Sequence, residues 1–258
     1  MGPVQFGAMT RTPAREAVPA RTSILGMPVD ILTMDGCMER IGEFVLSGQP
    51  HLVVTADSSG IVQAQTDPVL AELYQTADLV TPDSAGVIWA IRRSGNEIPA
   101  RVSGVDIVDN VCRVSSDSGW RIFFLGAAPG VAELAAERMR LRHPGCNIVG
   151  ARHGYFPTES DDVVAREVAE TKPDILFVAM GIPRQEKFIR ATQDIIGAKV
   201  AMGVGGSFDV FSGKVRRAPV FLQKIKMEWL WRLAQNPKKI GKVMLLPKFV
   251  SLILRERR

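Results

Sequence analysis

Asp83 is the residue whose setting points most directly to chemistry. It follows Pro82 at the end of an apolar run and stands at the start of a helical stretch. A carboxylate there has two readings. It caps the helix, a position that Asp favours, or it stands at the rim of a cleft and takes a proton from an attacking hydroxyl. The two roles are compatible. Thr55 and Asp57 close an earlier apolar run in the same way. Gly126 and Gly130 flank a turn before a helix, where backbone N–H groups can approach a diphosphate. An ordinary strand-to-helix turn uses the same glycines. Arg101, in the run ARVSG, can bind a phosphate or a surface carboxylate. Gln185 and Glu186 follow Gly181 and Pro183 on the first turn of a helix. Asp209, just after Gly205 and Gly206, can accept hydrogen bonds from a ribose or a base.

The elements that must hold these residues are short. His51–Ala56, Ala77–Thr81, Gly119–Gly126, Cys146–Gly150, Asp174–Met180 and Lys199–Val204 are apolar runs of strand length. Ile24–Leu32 reads as a strand or hairpin. Helical spacing covers Asp35–Ser47, Gly60–Thr76 as one helix, Ser84–Arg93, Val131–Arg142, Asp161–Thr171 and Lys187–Ile196. Apolar strands alternating with helices predict an α/β fold: a Rossmann-like, mostly parallel sheet with helices on both faces. In such sheets ligands bind outside the carboxyl ends of the strands. The residues named above fall there, strand after strand.

Three segments follow. Residues 1–22 are expected to be a flexible leader, without the continuous apolar stretch of a signal peptide. Residues 23–213 form the α/β domain. Residues 214–258 are a basic helical appendage, with helices expected over Ala218–Gln235 and Lys238–Arg258 on either side of Asn236–Pro237.

Composition narrows the class. The chain has 258 residues, 46% hydrophobic and 23% charged, which fits a globular protein with an ample core. Its three cysteines and three histidines are scattered and form no CxxC pair. That argues against a disulfide framework and a Cys/His metal centre. Val243–Leu254 is broken by Pro247 and Lys248, whereas a membrane span needs about 20 apolar residues. Charge is unevenly spread. Residues 214–258 carry 13 Lys and Arg against 2 acidic residues, a net of +11, so residues 1–213 carry −6 of the total +5. Such asymmetry marks a polyanionic partner. The tail mixes its cations with Phe221, Trp229, Trp231, Leu245 and Phe249, as a helix lying on an anionic membrane does. A solvated helical hairpin packed on the domain is the alternative. Nucleic acid ranks last, because the acidic body would repel an extended polyanion.

Seven motifs stand in order: ADLVTPDS at 77–84, RVSG at 101–104, FFLGAAPG at 123–130, HGYF at 153–156, GIPRQE at 181–186, GVGGSFDVFSGKVRRAP at 203–219, and EWLWRL with NPKK at 228–239. Together they resemble the WecG/TagA/CpsF glycosyltransferases, also called glycosyltransferase family 26, from about Ile24 to Pro237. The resemblance implies metal-independent, inverting transfer from a UDP-sugar to a polyprenyl-diphosphate-linked acceptor. The UDP-sugar is a substrate, no cofactor is implied, and the place implied is the cytoplasmic face of the cell membrane. It implies that Asp83 is the base and that Thr55 and Arg101 match further motif positions. Tyr155, Gln185 and Asp209 would contact the UDP region. Arg216, Arg217 and Arg232 would hold the acceptor or the leaving diphosphate, and a tail that folds over the cleft on a membrane would couple binding to catalysis.

Three positions depart from the family pattern: Asp57 stands for Asn, Ser84 for Gly and Ala100 for Glu. Asp57 adds a carboxylate near Asp83 and would repel a uronic acid donor, so a neutral hexose is among the candidate sugars. Two other classes compete. A non-catalytic nucleotide-sugar binder would bind UDP and transfer nothing. An NAD(P)-dependent oxidoreductase is disfavoured by the absence of GxGxxG. The sequence leaves the oligomeric state open, a homo-oligomer included.

Overall fold

The structure, a computed structural model, describes residues 19–215, 219, 231, 241 and 244–256. The described chain opens with an antiparallel hairpin, β1 (Ala20–Ile24) and β2 (Met27–Ile31); the stretch Ile24–Leu32 holds its second strand, and the first begins earlier, at Ala20, within the residues expected to be a leader. Then come α1 (Met34–Ser47), β3 (His51–Ala56), α2 (Ser58–Ala64), α3 (Pro68–Thr76), β4 (Leu79–Pro82), α4 (Ala85–Arg93) and α5 (Gly104–Ser118). They are followed by β5 (Ile122–Gly126), α6 (Val131–Arg142), β6 (Ile148–Arg152), α7 (Asp161–Glu170), β7 (Ile175–Ala179) and α8 (Arg184–Ile196). The described chain closes with β8 (Val200–Gly203), α9 (Ser207–Phe211) and a C-terminal helix, α10 (Leu245–Arg255).

Strands β3 to β8 make one sheet in the order β4-β3-β8-β7-β5-β6, and every neighbouring pair is parallel. Side chains alternate between two cores, as they must in a sheet covered on both sides. Val54, Leu125 and Val178 face α2, α3, α4, α7 and α8, whereas Val53, Phe124 and Phe177 face α1, α5, α6 and α9. The hairpin covers the β4 edge. Buried Asp30 on β2 accepts the Val80 N–H at 2.7 Å and pairs with Arg21 at 2.7 Å, so part of that edge is taken up by a side chain.

Three sequence expectations change. Gly60–Thr76 is two helices rather than one. Asp67 caps α3 by accepting from the N–H groups of Val69 and Leu70, each at 3.1 Å. Pro68 then opens α3 without an N–H to continue the preceding turn. The strand expected at Cys146–Gly150 runs instead over Ile148–Arg152. Helix α5 has no counterpart in the sequence reading. It is capped by Ser103 and buries Ile107, Val108, Val111, Cys112 and Ser115, a regular helical face.

Apart from residues 219 and 231, the stretch Ala218–Gln235 expected to be a helix lies outside the described residues. Of Lys238–Arg258, the described part is chiefly α10. Its Phe249 (0% exposed) and Ile253 sit in the core beside α2 and α4, and Glu256 accepts the Leu25 N–H at 3.1 Å. The end of the basic segment is therefore packed on the body. Among the described residues, no helix is long and apolar enough to cross a membrane.

The chain leaves β3 and β7 toward the first core but leaves β5 and β8 toward the second. Neighbouring strands that send the chain to opposite faces open a crevice at their carboxyl ends. β8 lies between β3 and β7, so the crevice falls in the middle of the sheet.

Candidate active site

On one side of the crevice, two strand-end turns are laced together. Thr55 is buried in β3, and its Oγ1 donates to the Gly203 carbonyl at 3.0 Å, joining the ends of β3 and β8. Asp57 caps α2, its Oδ1 accepting the Gly60 N–H at 2.6 Å. Asp83 directly follows β4, and its N–H donates to the Ala56 carbonyl at 3.0 Å. The cap of α4 is Ser84, whose Oγ accepts from the N–H groups of Val87 and Ser58, each at 3.2 Å. Capping therefore does not account for Asp83, which stands half-buried at the rim with its backbone pinned to β3. Pro82 also accepts the Val102 N–H at 3.1 Å. That bond places Arg101 one residue from a chain segment tied beside Asp83.

Across the crevice, Gln185 joins two more turns. It is 1% exposed. Its Oε1 accepts from the N–H groups of Gly181 at 3.0 Å and Gly205 at 3.1 Å, and its Nε2 donates to Glu186 Oε1 at 2.7 Å. The loops after β7 and β8 are thus held by one side chain. Glu186 is buried beside it. Asp209 lies half-buried in α9, and its carbonyl accepts the Val215 N–H at 2.9 Å.

At the far end, Gly126 has φ 139°, and a Cβ there would lie 2.5 Å from the Ala179 carbonyl oxygen. Only glycine suits that approach of β5 to β7. Ala127 N–H donates to the same carbonyl at 2.7 Å, and the Ala127 carbonyl takes the Gly154 N–H at 3.0 Å. Tyr155, next in line, is 70% exposed. Its neighbour Phe156 is the anchor, edge-on to Phe188 with Arg152 and Arg184 over its ring at 5.4 and 5.5 Å. An exposed ring on an anchored loop is able to stack on a planar base.

The structure therefore gathers Thr55, Asp57, Asp83, Gln185, Glu186, Gly181, Gly205 and Asp209 around the central strand ends. Gly126 and Tyr155 flank them at the ends of β5 and β6. Arg216, Arg217 and Arg232 lie outside the described residues. Sequence reasoning missed Ser58 and Ser84 as the lacing pair. A signal was present: Asp57-Ser58-Ser59-Gly60 and Asp83-Ser84-Ala85-Gly86 repeat one pattern at two strand ends. Among the described residues, no three His, Cys, Asp or Glu side chains are grouped to hold a metal ion.

Comparison with known proteins bears on this arrangement. The profile of the family described as "Glycosyl transferase WecG/TagA/CpsF family" matches residues 22–258. A Bacillus spizizenii protein named N-acetylglucosaminyldiphosphoundecaprenol N-acetyl-beta-D-mannosaminyltransferase is 35% identical over 206 residues, covering 80% of this chain and 79% of that protein. A Staphylococcus aureus protein of the same name is 32% identical over 241 residues, covering 93% of this chain and 94% of that protein.

Proposed function

The chain belongs to the WecG/TagA/CpsF family of glycosyltransferases, and from that premise we propose that it moves a sugar from a UDP-sugar to a saccharide carried on a polyprenyl diphosphate, in the making of a wall or cell-surface polymer. The observation that carries the reading is Asp83: a carboxylate at the cleft rim, fixed through its backbone, with the capping task taken by Ser84. The relatives' printed name supplies the acceptor class, a sugar diphosphate on a long isoprenoid alcohol.

The step is a single displacement. The acceptor hydroxyl oxygen attacks the anomeric carbon from the face opposite UDP, the bond from that carbon to the diphosphate oxygen breaks, and the configuration inverts. Asp83 takes the hydroxyl proton. The charge that builds on the departing diphosphate needs fixed positive partners. Arg101 and the tail arginines Arg216, Arg217 and Arg232 fill that role, without a metal ion. Tyr155 stacks on the uracil and Asp209 accepts from the ribose or base. Gln185 serves by holding the Gly181 and Gly205 turns in place. Asp57 favours a neutral donor sugar, N-acetylmannosamine or a hexose, over a uronic acid.

The acceptor is a lipid, so the enzyme works at the cytoplasmic membrane face as a peripheral protein. Two features support this. Basic residues each contribute about 1 kcal/mol near an anionic surface, and the segment after Gly213 has a net charge of +11. One side of α10 also borders a hollow of about 770 Å³ lined by Met244, Leu246, Pro247, Val250, Ser251, Leu254 and Arg255.

An assay of UDP release over a panel of UDP-sugars, with and without a polyprenyl-diphosphate-linked N-acetylglucosamine, tests the reading. Acceptor-dependent, chelator-insensitive release with at least one neutral donor is expected. UDP binding with no acceptor-dependent release from any donor would make the protein a binder instead.

A further inference from the structure

The first turn of α8 ties down more than the glycine turns. Gln185 holds the turns after β7 and β8, and the residue before it, Arg184, reaches the other way. The Arg184 guanidinium grips Asp161 at the start of α7 with two bonds, Nη1 to Oδ2 at 2.8 Å and Nη2 to Oδ1. Its Cζ stands 5.5 Å from the centre of the Phe156 ring and 5.6 Å from that of Phe188. Phe188 is fully buried in α8 and meets Phe156 edge-on at 6.0 Å. Phe156 belongs to neither helix. It lies in the loop between β6 and α7, one residue after the exposed Tyr155. One side chain therefore joins the starts of two helices to the loop that carries that tyrosine.

Stapling α7 to α8 gives no reason for an arginine. Asp161 is only 10% exposed at its side chain, and an apolar pair of similar size holds two helices as well as an ion pair drawn out of water. A guanidinium does something more. It binds a carboxylate in its plane with two bonds and still offers its face to a ring. The loop needs such a hold. Its Gly154 N–H donates to the Ala127 carbonyl at 3.0 Å, but the Tyr155 N–H turns back to His153 Nδ1 within the loop, at 3.2 Å. The next grip on the body is the Phe156 ring. Arg152 of β6 also stands 5.4 Å from that ring, but its partner Glu167 is 50% exposed. Arg184, with the more buried partner, is the firmer of the two.

We propose that Arg184 is a positioning residue for the nucleotide: it fixes Phe156 and so sets the Tyr155 ring, before the base arrives, against the turns that Gln185 holds. The proposal rests on reading Tyr155 as the ring that stacks on the uracil of a glycosyltransferase donor. Both terminal nitrogens of Arg184 are taken by Asp161, so it acts through Tyr155. A platform fixed in advance spares the ordering cost of binding. Its loss should weaken nucleotide affinity and leave the chemical step alone.

The test is UDP binding by calorimetry in the full chain, for wild type, Tyr155→Ala, Arg184→Met and the double variant. Tyr155→Ala should weaken UDP by about 10-fold, the scale of one base–aromatic stack. Arg184→Met keeps the apolar stem and should weaken it by about 3-fold, the scale of one cation–π contact. The double variant should be no weaker than Tyr155→Ala alone, because the two residues act as one unit. Arg184→Lys keeps a cation by the ring and should fall between wild type and Arg184→Met; it takes over the cycle if Arg184→Met does not fold. Where a donor supports transfer, its KM should rise as UDP affinity falls, with kcat unchanged. A mere helix staple would lower the melting temperature and leave affinity and KM where they were. Wild-type UDP affinity in a folded Arg184 variant, or losses that multiply in the double variant, overturns the proposal. If the coupling is present but no donor supports transfer, the transferase reading falls and the role of Arg184 stands. If transfer proceeds but the losses multiply, the role of Arg184 falls alone.

Discussion

The turns at Asp57–Gly60 and Asp83–Gly86 begin with the same Asp-Ser pair and end in the same glycine, yet they spend those residues differently. At the first, the helix starts immediately after Asp57, whose carboxylate becomes the cap. At the second, the helix starts one residue later, and Ser84 caps it. A shift of one residue decides which carboxylate is committed to the backbone and which is held at the rim. Asp and Ser are near-equal caps, so the choice is made by the surroundings. The Asp83 N–H continues the ladder to Ala56, and the Ser84 hydroxyl reaches Ser58 in the neighbouring turn. The lesson is that a motif identifies candidate groups, while the register of the following helix assigns their tasks.

Substitutions can break or sharpen that contrast. The largest effect is expected for Asp83→Asn. Transfer should fall by about 10²–10⁴-fold, the usual contribution of a positioned general base. Gln185→Ala comes next, because it strips the acceptor from two strand-end N–H groups across the crevice. A loss of about 1–3 kcal/mol in urea denaturation is expected, together with weaker UDP binding by calorimetry. Ser84→Ala and Asp57→Ala should each cost about 1 kcal/mol as lost caps. Asp57→Asn should be the mildest, within a few tenths of a kcal/mol, since Asn caps as well as Asp.

Much of the architecture is legible in the chain. A strand such as Ile175–Ala179, apolar on both faces, has no other home than a sheet covered on both sides. Local grammar also explains two of the errors. Asp67-Pro68 is a cap followed by a helix-opening proline, and it splits a pattern whose apolar spacing alone reads as continuous. Helix α5 has a clear buried face and a serine cap, but its many Ser, Asp and Asn residues dilute the periodic signal.

The candidate residues are legible in the chain as strand-end positions, and their contacts are not. Asp83, Gln185 and Tyr155 sit at strand ends that the sequence marks. That Gln185 would tie two glycine turns depends on β7 and β8 being neighbours in space. Tyr74 under Gly60 and Phe249 against Gly86 are long-range contacts with no local signature. They arise from how α3 and α10 pack, which follows from the whole core.

The most direct test of Asp83 as the base is the pH dependence of kcat/KM for wild type, Asp57→Asn and Asp83→Asn, measured on the residual activity of each. The wild type and Asp57→Asn should lose activity along an acid limb of unit slope, and Asp83→Asn should be low and flat over the same range. An acid limb that persists unchanged in Asp83→Asn, or that vanishes in Asp57→Asn instead, would contradict the assignment.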